Sequence, residues 1–208
     1  MIDLNSTSVR WTITLNRPDK ANAINMEMLI RLNEILDEAK QQPKLRSLII
    51  TGNGPVFSAG ADLNAVKLNN ELTTTIHWKT LSDKIAELPC LTIAALNGTL
   101  AGGAFGMALA CDIRLATTET NFFYPVLKNN LLPQPNDIER LVNLAGLSTA
   151  KLILLAGQKL SAKKALDRGL IDLICEQSEL TNNINSLSYT AEKTDSISLL
   201  TIKRLFQN

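Results

Sequence analysis

The stretch NGTLAGGAFGMALACD at residues 97–112 decides the fold, together with FSAGADL at residues 57–63. Both segments are rich in glycine and alanine, and each follows a β-branched, apolar run. Because small residues let another group approach the backbone closely, the N–H groups of both segments can face a cleft. Two such amides directed at one carbonyl oxygen form an oxyanion hole, which stabilises an enolate or a tetrahedral oxyanion.

The rest of the chain alternates between strand and helix patterns. Strands are predicted at residues 9–15, 48–51, 91–96, 113–116 and 170–174. Helices are predicted from Asn25 as cap through Leu36, then at residues 73–87, 101–110, 137–145, 149–156, 161–168, 180–187 and 197–206. Ser161 is the expected cap, and Gly169 the expected stop, of one of the later helices. This alternation predicts parallel strands with crossover helices, an α/β architecture.

Composition describes a soluble globular chain. It has 208 residues, of which 45% are hydrophobic and 20% charged, and its formal net charge is +1. So small a charge predicts no nucleic-acid or anionic-membrane partner.

Three cysteines, Cys90, Cys111 and Cys175, stand in apolar contexts without close pairing, so we expect buried thiols in a reducing cytoplasm and no metal site. Residues 1–15 lack a signal-peptide pattern, and the apolar run at 100–116 is too interrupted to cross a bilayer.

Five short motifs follow one another along the chain. They read NRP with ANA at residues 16–23, FSAGADL at 57–63, NG with AGG at 97–103, CDI at 111–113, and LAG, SA and RGLI within 155–171. In this order they resemble the enoyl-CoA hydratase/isomerase (crotonase) family, over most of the chain. The resemblance implies a ClpP/crotonase fold of repeated β-β-α units, with parallel sheets packed by helices. It also implies a core domain at residues 1–175 and a shortened C-terminal helical segment at residues 176–208.

The same resemblance implies a thioester site. The N–H groups of Ala61 and Gly103 would hold the thioester carbonyl; the alternative is that these small residues only allow tight packing of strand on helix. The residues implied around coenzyme A are Arg17, Lys20, Ala21, Ala23, Ala59 and Asp62. Arg17 and Lys20 would face phosphates or be solvated loop charges, and Asp62 is favoured as a residue that holds the loop. The substrate would be an acyl-CoA or acyl-carrier thioester, with no cofactor beyond its coenzyme A moiety.

Three positions depart from the family pattern. Hydratases of the family carry glutamates where this chain has Gly106 and Val126. Relatives that isomerise dienes or dehalogenate carry an aspartate where this chain has Gln134. Hydration needs a base that activates water and an acid that protonates the α-carbon, and none of these three side chains transfers protons at neutral pH. Standard hydratase activity is therefore not expected from the usual residues.

Substitute acids and bases must come from nearby in sequence. The candidates are Tyr124, Asp137 and His77, the only histidine. For Asp137, as for Glu139, capping and decorating a helix is the favoured alternative. For His77 the favoured alternative is a surface or packing role on a helix.

Two functions remain open from the sequence. One is an enzyme of fatty acid metabolism that needs only enolate stabilisation, through decarboxylation or a double-bond shift. The other is a thioester-binding or assembly protein that has kept the pocket and lost the chemistry. Members of the family this chain resembles usually continue with further helices beyond residues 202–206, and many are trimers. We therefore expect a homo-oligomer, a trimer or a dimer of trimers, in which part of the usual trimer contact is lacking.

Overall fold

The computed structural model describes residues 1–68 and 71–206, which form an α/β fold. The described strands are β1 Ile2–Ser6, β2 Arg10–Leu15, β3 Ser47–Gly52, β4 Val56–Ser58, β5 Leu91–Leu96, β6 Thr99–Ala101, β7 Ile113–Thr117, β8 Asn121–Phe123, β9 Leu160–Ser161 and β10 Leu173–Cys175. The described helices are α1 Met26–Lys40, α2 Leu63–Leu68, α3 Glu71–Thr74, α4 His77–Glu87, α5 Phe105–Ala110, α6 Asp137–Leu154, α7 Ala162–Asp167, α8 Leu180–Lys193 and α9 Ser196–Leu205.

The strands form two sheets. The larger has the order β1-β2-β3-β5-β7-β10, and its neighbouring strands are parallel except for the β1–β2 pair. The smaller has the order β4-β6-β8-β9, with β9 antiparallel to β8. Strands β3, β5 and β7 each lead directly into a strand of the smaller sheet. This is the repeated β-β unit of the predicted fold, and the α/β prediction is confirmed.

The larger sheet is covered on both faces. Leu48 and Ile50 of β3 point into the main core, where they join apolar side chains of α1, α4 and α5. Ile49, between them, points to the opposite face and packs with Leu180 of α8. Parallel strands buried on both faces explain the continuous apolar runs in the sequence. Helix α8 lies beyond the predicted boundary at residue 175 and still packs on the sheet, while the boundary itself stays a prediction.

Two helix predictions were wrong in extent near the glycine-alanine segments. The helix predicted at residues 73–87 is broken, since α3 ends at Thr74 and α4 begins at His77. Three consecutive threonines, at residues 73–75, end in the break, and β-branched residues have lower helix propensity. The helix predicted at residues 101–110 starts instead with a 3₁₀ turn, Gly102–Ala104, because Gly102 adopts a positive φ of 55°.

Further along, the two helices predicted at residues 137–145 and 149–156 form α6, which bends where Gly146 has a φ of 80°. The cap predictions are confirmed: Asn25 Oδ1 accepts from the Met28 N–H at 2.9 Å, and Ser161 Oγ accepts from the Lys164 N–H. Gly169 has the positive φ that ends a helix. In the described ranges, 1–68 and 71–206, no helix is both long and apolar enough to cross a membrane.

Candidate active site

The loop after β4 carries Ala61 and is held by the segment that precedes α1. Ile24 and Ala61 form a parallel bridge, in which the Ile24 N–H donates to the Gly60 carbonyl at 2.8 Å. The Asp62 N–H completes the bridge by donating to the Ile24 carbonyl at 2.9 Å. A parallel bridge of this kind leaves the amide of its central residue pointing to the other side. Within the described chain no protein group accepts from the Ala61 N–H.

The second glycine-alanine segment lies against this loop. Gly60 has a φ of 88°, a conformation that glycine adopts without strain. A Cβ atom at Gly60 would lie 2.7 Å from the Ala101 carbonyl oxygen and 2.9 Å from the Gly103 nitrogen. Gly60 is therefore required both by its backbone conformation and by the closeness of the two segments.

Gly103 is the second residue of the 3₁₀ turn that precedes α5. Because the first N–H groups of a helix have no acceptor inside it, the Gly103 amide is left for another partner. The Trp78 ring of α4 supports this turn, since a Cβ at Gly103 would lie 3.5 Å from it. The Trp78 Nε1 is itself fixed by a 2.7 Å hydrogen bond to the Leu72 carbonyl.

Ala61 and Gly103 line one cavity of about 260 Å³. The other described residues that line it are Ala59, Leu63, Thr73, Gly102, Phe123, Tyr124, Pro125, Val126, Asn129, Leu131, Leu132 and Gln134. Most of these side chains are apolar, so the cavity suits a hydrocarbon chain, and its polar groups are few. The structure thus brings together the two predicted amide donors and one of the three predicted acid/base candidates, Tyr124.

Arg17 fastens the Ala61 loop to the segment before α1. Its Nη1 donates to Asp62 Oδ2 at 2.7 Å and to the Ala23 carbonyl at 3.0 Å. The Arg17 guanidinium, by hydrogen bonding, holds the pKa of the Asp62 carboxyl below its usual value, and the Ala65 and Asn64 amides act in the same direction. The carboxylate therefore holds the loop, which is the role favoured for Asp62. A phosphate contact of Arg17 stays a prediction.

Tyr124 is fixed on the cavity wall by three contacts. Its ring stacks on Phe105 with the centroids 5.2 Å apart. Its hydroxyl donates to Asp137 Oδ2 at 2.9 Å and accepts from the Gln134 N–H at 3.0 Å. Burial, and then the nearby Asp137 carboxylate, raise the pKa of Tyr124 well above its usual value. The phenol is therefore protonated at neutral pH and has a carboxyl partner.

Asp137 is buried rather than exposed at a helix end. Only 1% of its surface is accessible, and α6 is capped by Asn136 without a side-chain hydrogen bond, so the capping role favoured from the sequence was wrong. Burial raises the pKa of Asp137 to about 7, although the Tyr124 hydroxyl and Arg140 oppose the shift. Its second oxygen, Oδ1, has no hydrogen-bond partner among the described residues.

The other predicted residues are distributed around the loop or away from the cavity. Ala59, which lines the cavity, donates its N–H to the Ala21 carbonyl at 2.9 Å. Lys20 is exposed. His77 begins α4 but is not among the described residues that line the cavity. Its neighbour Trp78 packs against the turn at Gly103. The contacts of Lys20 with coenzyme A and the acid/base role of His77 stay predictions that no contact among the described residues supports.

Sequence reasoning missed one residue that shapes the loop. Asn22 is fully buried with a φ of 52°. Its Nδ2 donates to the Asn53 and Val56 carbonyls, and its Oδ1 accepts from the Arg17 N–H at 2.8 Å. Asparagine tolerates the left-handed conformation, and its side chain forms hydrogen bonds to nearby backbone groups. The asparagine between two alanines in the first motif therefore indicated a residue that could shape this loop.

A larger groove of about 480 Å³ lies beneath α9, between Leu91, Ala110 and Phe206. Its polar contact is the Lys203–Asp112 pair, with Nζ 2.7 Å from Oδ2. Neither Ala61 nor Gly103 lines this groove. Size alone therefore does not identify the site, whereas the two converging amides do.

Comparison with known proteins agrees with this arrangement. The sequence profile described as "Enoyl-CoA hydratase/isomerase" matches residues 6–207. The chain belongs to this family. It is 31% identical, over 181 residues, to a short-chain-enoyl-CoA hydratase of Clostridium acetobutylicum, an alignment that covers 85% of this chain and 69% of the relative.

Two further similar proteins show the range of similarity. An ethylmalonyl-CoA decarboxylase of Bos taurus is 32% identical over 173 residues, which cover 81% of this chain and 56% of that protein. The crystal structure of an enoyl-CoA hydratase from Bacillus anthracis superimposes with a TM-score of 0.92 at 26% identity, covering 100% of this chain and 82% of that one. The crotonase-like fold is thereby established.

Proposed function

We propose that the chain is an enzyme that stabilises the enolate of an acyl thioester between the amides of Ala61 and Gly103. The observation that carries the proposal is the meeting of two amides, neither with a protein acceptor in the described chain, at one small apolar cavity. Developing negative charge on a thioester oxygen is what such a pair stabilises, and one donor of this kind is worth about 3 kcal/mol of barrier.

The loop network supports this use of the amides. A donor held in place before the reaction needs no reorganisation when charge develops on the substrate. The Ala61 loop is fixed by the bridge to Ile24 and by the Arg17–Asp62 ion pair. Gly103 is fixed from behind by Trp78. Both donors therefore belong to rigid parts of the described fold.

The cavity walls argue against ordinary hydratase chemistry. Gly106 and Val126 stand at the glutamate positions of family hydratases, and Val126 lines the cavity. Water activation has no base at either place. Decarboxylation of a malonyl-type thioester generates the enolate by loss of carbon dioxide, and a double-bond shift needs only proton transfer at carbon. These two reactions are the proposed chemistry, and the decarboxylase and isomerase names among relatives agree with them.

A thioester-binding protein without catalysis is the second candidate. The glycine and valine at the two glutamate positions are the specific observation that favours it. The buried Tyr124–Asp137 pair favours the enzyme, because a binding protein has no need of a carboxyl group without full hydrogen bonding. A coenzyme A or carrier-bound substrate, a homo-oligomer, a cytoplasmic location and a part in fatty acid metabolism remain predictions.

Direct turnover assays distinguish the candidates. The purified chain is incubated with crotonyl-CoA, vinylacetyl-CoA and methylmalonyl-CoA, and products are followed by mass spectrometry. We expect conversion of the second or third compound, abolished in Gly103→Pro, which removes the amide hydrogen. Thioester binding without turnover of any of the three would support the binding protein. Turnover undiminished in Gly103→Pro would contradict the oxyanion assignment.

A further inference from the structure

We infer that Tyr124 and Asp137 are the pair that moves a proton to and from the α-carbon of the bound thioester, with Tyr124 in contact with substrate and Asp137 acting through it. This inference rests on the proposed function, because the carbon acid becomes reactive only when its carbonyl is held by the two amides. It assigns the proton transfer that the usual residues do not supply.

The Asp137 carboxyl lies against α5 at Gly106. A Cβ atom at Gly106 would stand 2.8 Å from Asp137 Oδ1. The carboxyl of α6 therefore occupies the space that any side chain on Gly106 of α5 would need. Absence of a side chain at Gly106 is what makes room for it.

The Asp137 carboxyl is connected to the cavity through the Tyr124 phenol. Tyr124 lines the cavity together with Ala61 and Gly103. Its hydroxyl donates to Asp137 Oδ2 and accepts from the Gln134 N–H, so it has one remaining lone pair. The Phe105 stacking contact keeps the ring from turning away. Asp137 does not line the cavity and can act on substrate only through Tyr124.

The charged groups around the Tyr124–Asp137 pair lie on α6 and α4. Helix α5, which packs against α6 here, has the sequence FGMALA and brings no titratable side chain. On α6 itself the nearby charge is Arg140, whose Nη2 is paired with Asp83 Oδ1 on α4 at 3.1 Å. Asp137 Oδ1 has no hydrogen-bond partner among the described residues. A carboxyl so placed is close to balance between its neutral and ionised forms at neutral pH, with a pKa of about 7.

These positions allow a balanced proton transfer in both directions. With Asp137 ionised, the α C–H bond breaks, its electron pair moves into the carbonyl oxygen, and the proton passes to the Tyr124 oxygen as the Tyr124 proton passes to Oδ2. The result is an enolate and a neutral Asp137. The reverse path returns a proton to carbon. After loss of carbon dioxide, neutral Asp137 gives its proton to the Tyr124 oxygen as the Tyr124 proton passes to the α-carbon of the enolate. The Asp137 carboxylate then takes a proton from solvent.

The test uses butyryl-CoA in heavy water as the probe, because its α-protons exchange only through the enolate. Exchange is followed by mass spectrometry, and binding by calorimetry. We expect wild-type protein to exchange the α-protons, and Tyr124→Phe and Asp137→Asn to lower the exchange rate by about 100-fold or more with the dissociation constant changed less than about threefold. The wild-type exchange rate should rise with pH through about 7, and that dependence should disappear in Asp137→Asn.

Two matched controls come from the same chain. Tyr189→Phe alters the other tyrosine, which is 64% exposed on α8, and Asp167→Asn alters an exposed aspartate on α7. Both should exchange at the wild-type rate. Because Asp137→Asn keeps an acceptor for the Tyr124 hydroxyl, it tests proton transfer in a folded protein even if Tyr124→Phe folds poorly.

Each other outcome has a defined meaning. Wild-type exchange rates in Tyr124→Phe or Asp137→Asn, with loss of exchange in Gly103→Pro, would overturn the pair and leave the proposed function standing. Binding of butyryl-CoA by wild-type protein without any exchange would also overturn the pair. Failure of the wild-type protein to bind the thioester at all would overturn the proposed function and the pair together.

Discussion

Replacing Asp137 by asparagine is expected to stabilise the fold at alkaline pH and to have little effect in acid. Asparagine keeps the shape of the side chain and an acceptor for the Tyr124 hydroxyl but never carries charge. In wild-type protein the pKa of Asp137 is higher in the folded state than in the unfolded state. The stability that the neutral carboxyl contributes to the fold is therefore fully present below the pKa of the unfolded state. It is lost as the pH rises through the folded pKa of about 7.

The size of the effect follows from the shift. The carboxyl moves from an ordinary value of 3.8 to about 7. Each unit corresponds to about 1.4 kcal/mol, so ionised Asp137 costs the folded state about 4 kcal/mol above neutral pH. Integrating between about pH 5 and about pH 8 gives about 2.5 kcal/mol of this cost, and most of the rest develops at lower pH.

The assay is equilibrium urea unfolding followed by circular dichroism at the two pH values, for wild-type protein and Asp137→Asn. The stability advantage of the variant should grow by about 2.5 kcal/mol between about pH 5 and about pH 8. Using the difference between the two proteins removes contributions from other titrating groups.

The exposed variant Asp167→Asn is the control, because its ion pair with Lys163 is solvated and is expected to contribute less than about 1 kcal/mol. An advantage of Asp137→Asn that stays the same at both pH values would refute the argument. Such a result would mean that Asp137 ionises in the folded protein with an ordinary pKa, and that it is not the poised partner of Tyr124.

Three further substitutions test the surrounding structure by urea unfolding. Gly106→Ala places a Cβ 2.8 Å from Asp137 Oδ1, so it should cost about 2 kcal/mol, and less in an Asp137→Ala background. Arg17→Met leaves the Asp62 carboxylate without its charged partner and should cost about 2 kcal/mol, less as the pH falls below the usual aspartate range. Gly60→Ala forces a side chain into a positive φ and against the neighbouring segment, and should cost about 2 kcal/mol while lowering thioester affinity.

A different result would contradict each of these three expectations. Additive costs for Gly106→Ala and Asp137→Ala would show that the two positions do not compete for space. Unchanged stability of Arg17→Met would show that the ion pair does not fasten the loop. Wild-type affinity in Gly60→Ala would show that the close approach of the two segments is not needed for binding.

Local patterns in the sequence predicted much of the fold. Strand Leu91–Leu96 was predicted at its observed bounds because its apolar run is closed by turn residues on both sides. The Asn25 cap and the Gly169 stop were predicted because each acts within one turn of the chain. Strand β1, Ile2–Ser6, was missed because its half-exposed, polar sequence forms a strand only by pairing with β2.

The parts of the candidate site that consist of backbone amides could be predicted from the sequence. The contacts between side chains distant in sequence could be predicted less well. Small residues at Ala61 and Gly103 gave the amide positions from sequence. The meeting of Tyr124 with Asp137 depends on the irregular segment between β8 and α6, and nothing in the spacing fixes it. Because adjacent helix residues point in directions about 100° apart, Trp78 and His77 could not both face Gly103, and packing selected the tryptophan.

The most direct test of the central claim is the infrared spectrum of butyryl-CoA labelled at its thioester carbonyl carbon and bound to the protein. We expect the labelled carbonyl band to shift to lower frequency on binding, because two N–H groups polarise the bond. The shift should persist in Gly103→Ala, whose Cβ makes an ordinary 3.5 Å contact with Trp78. It should be clearly smaller in Gly103→Pro, which keeps only the Ala61 donor. A carbonyl frequency equal to that in water, or a full shift in Gly103→Pro, would show that these two amides do not hold the thioester carbonyl.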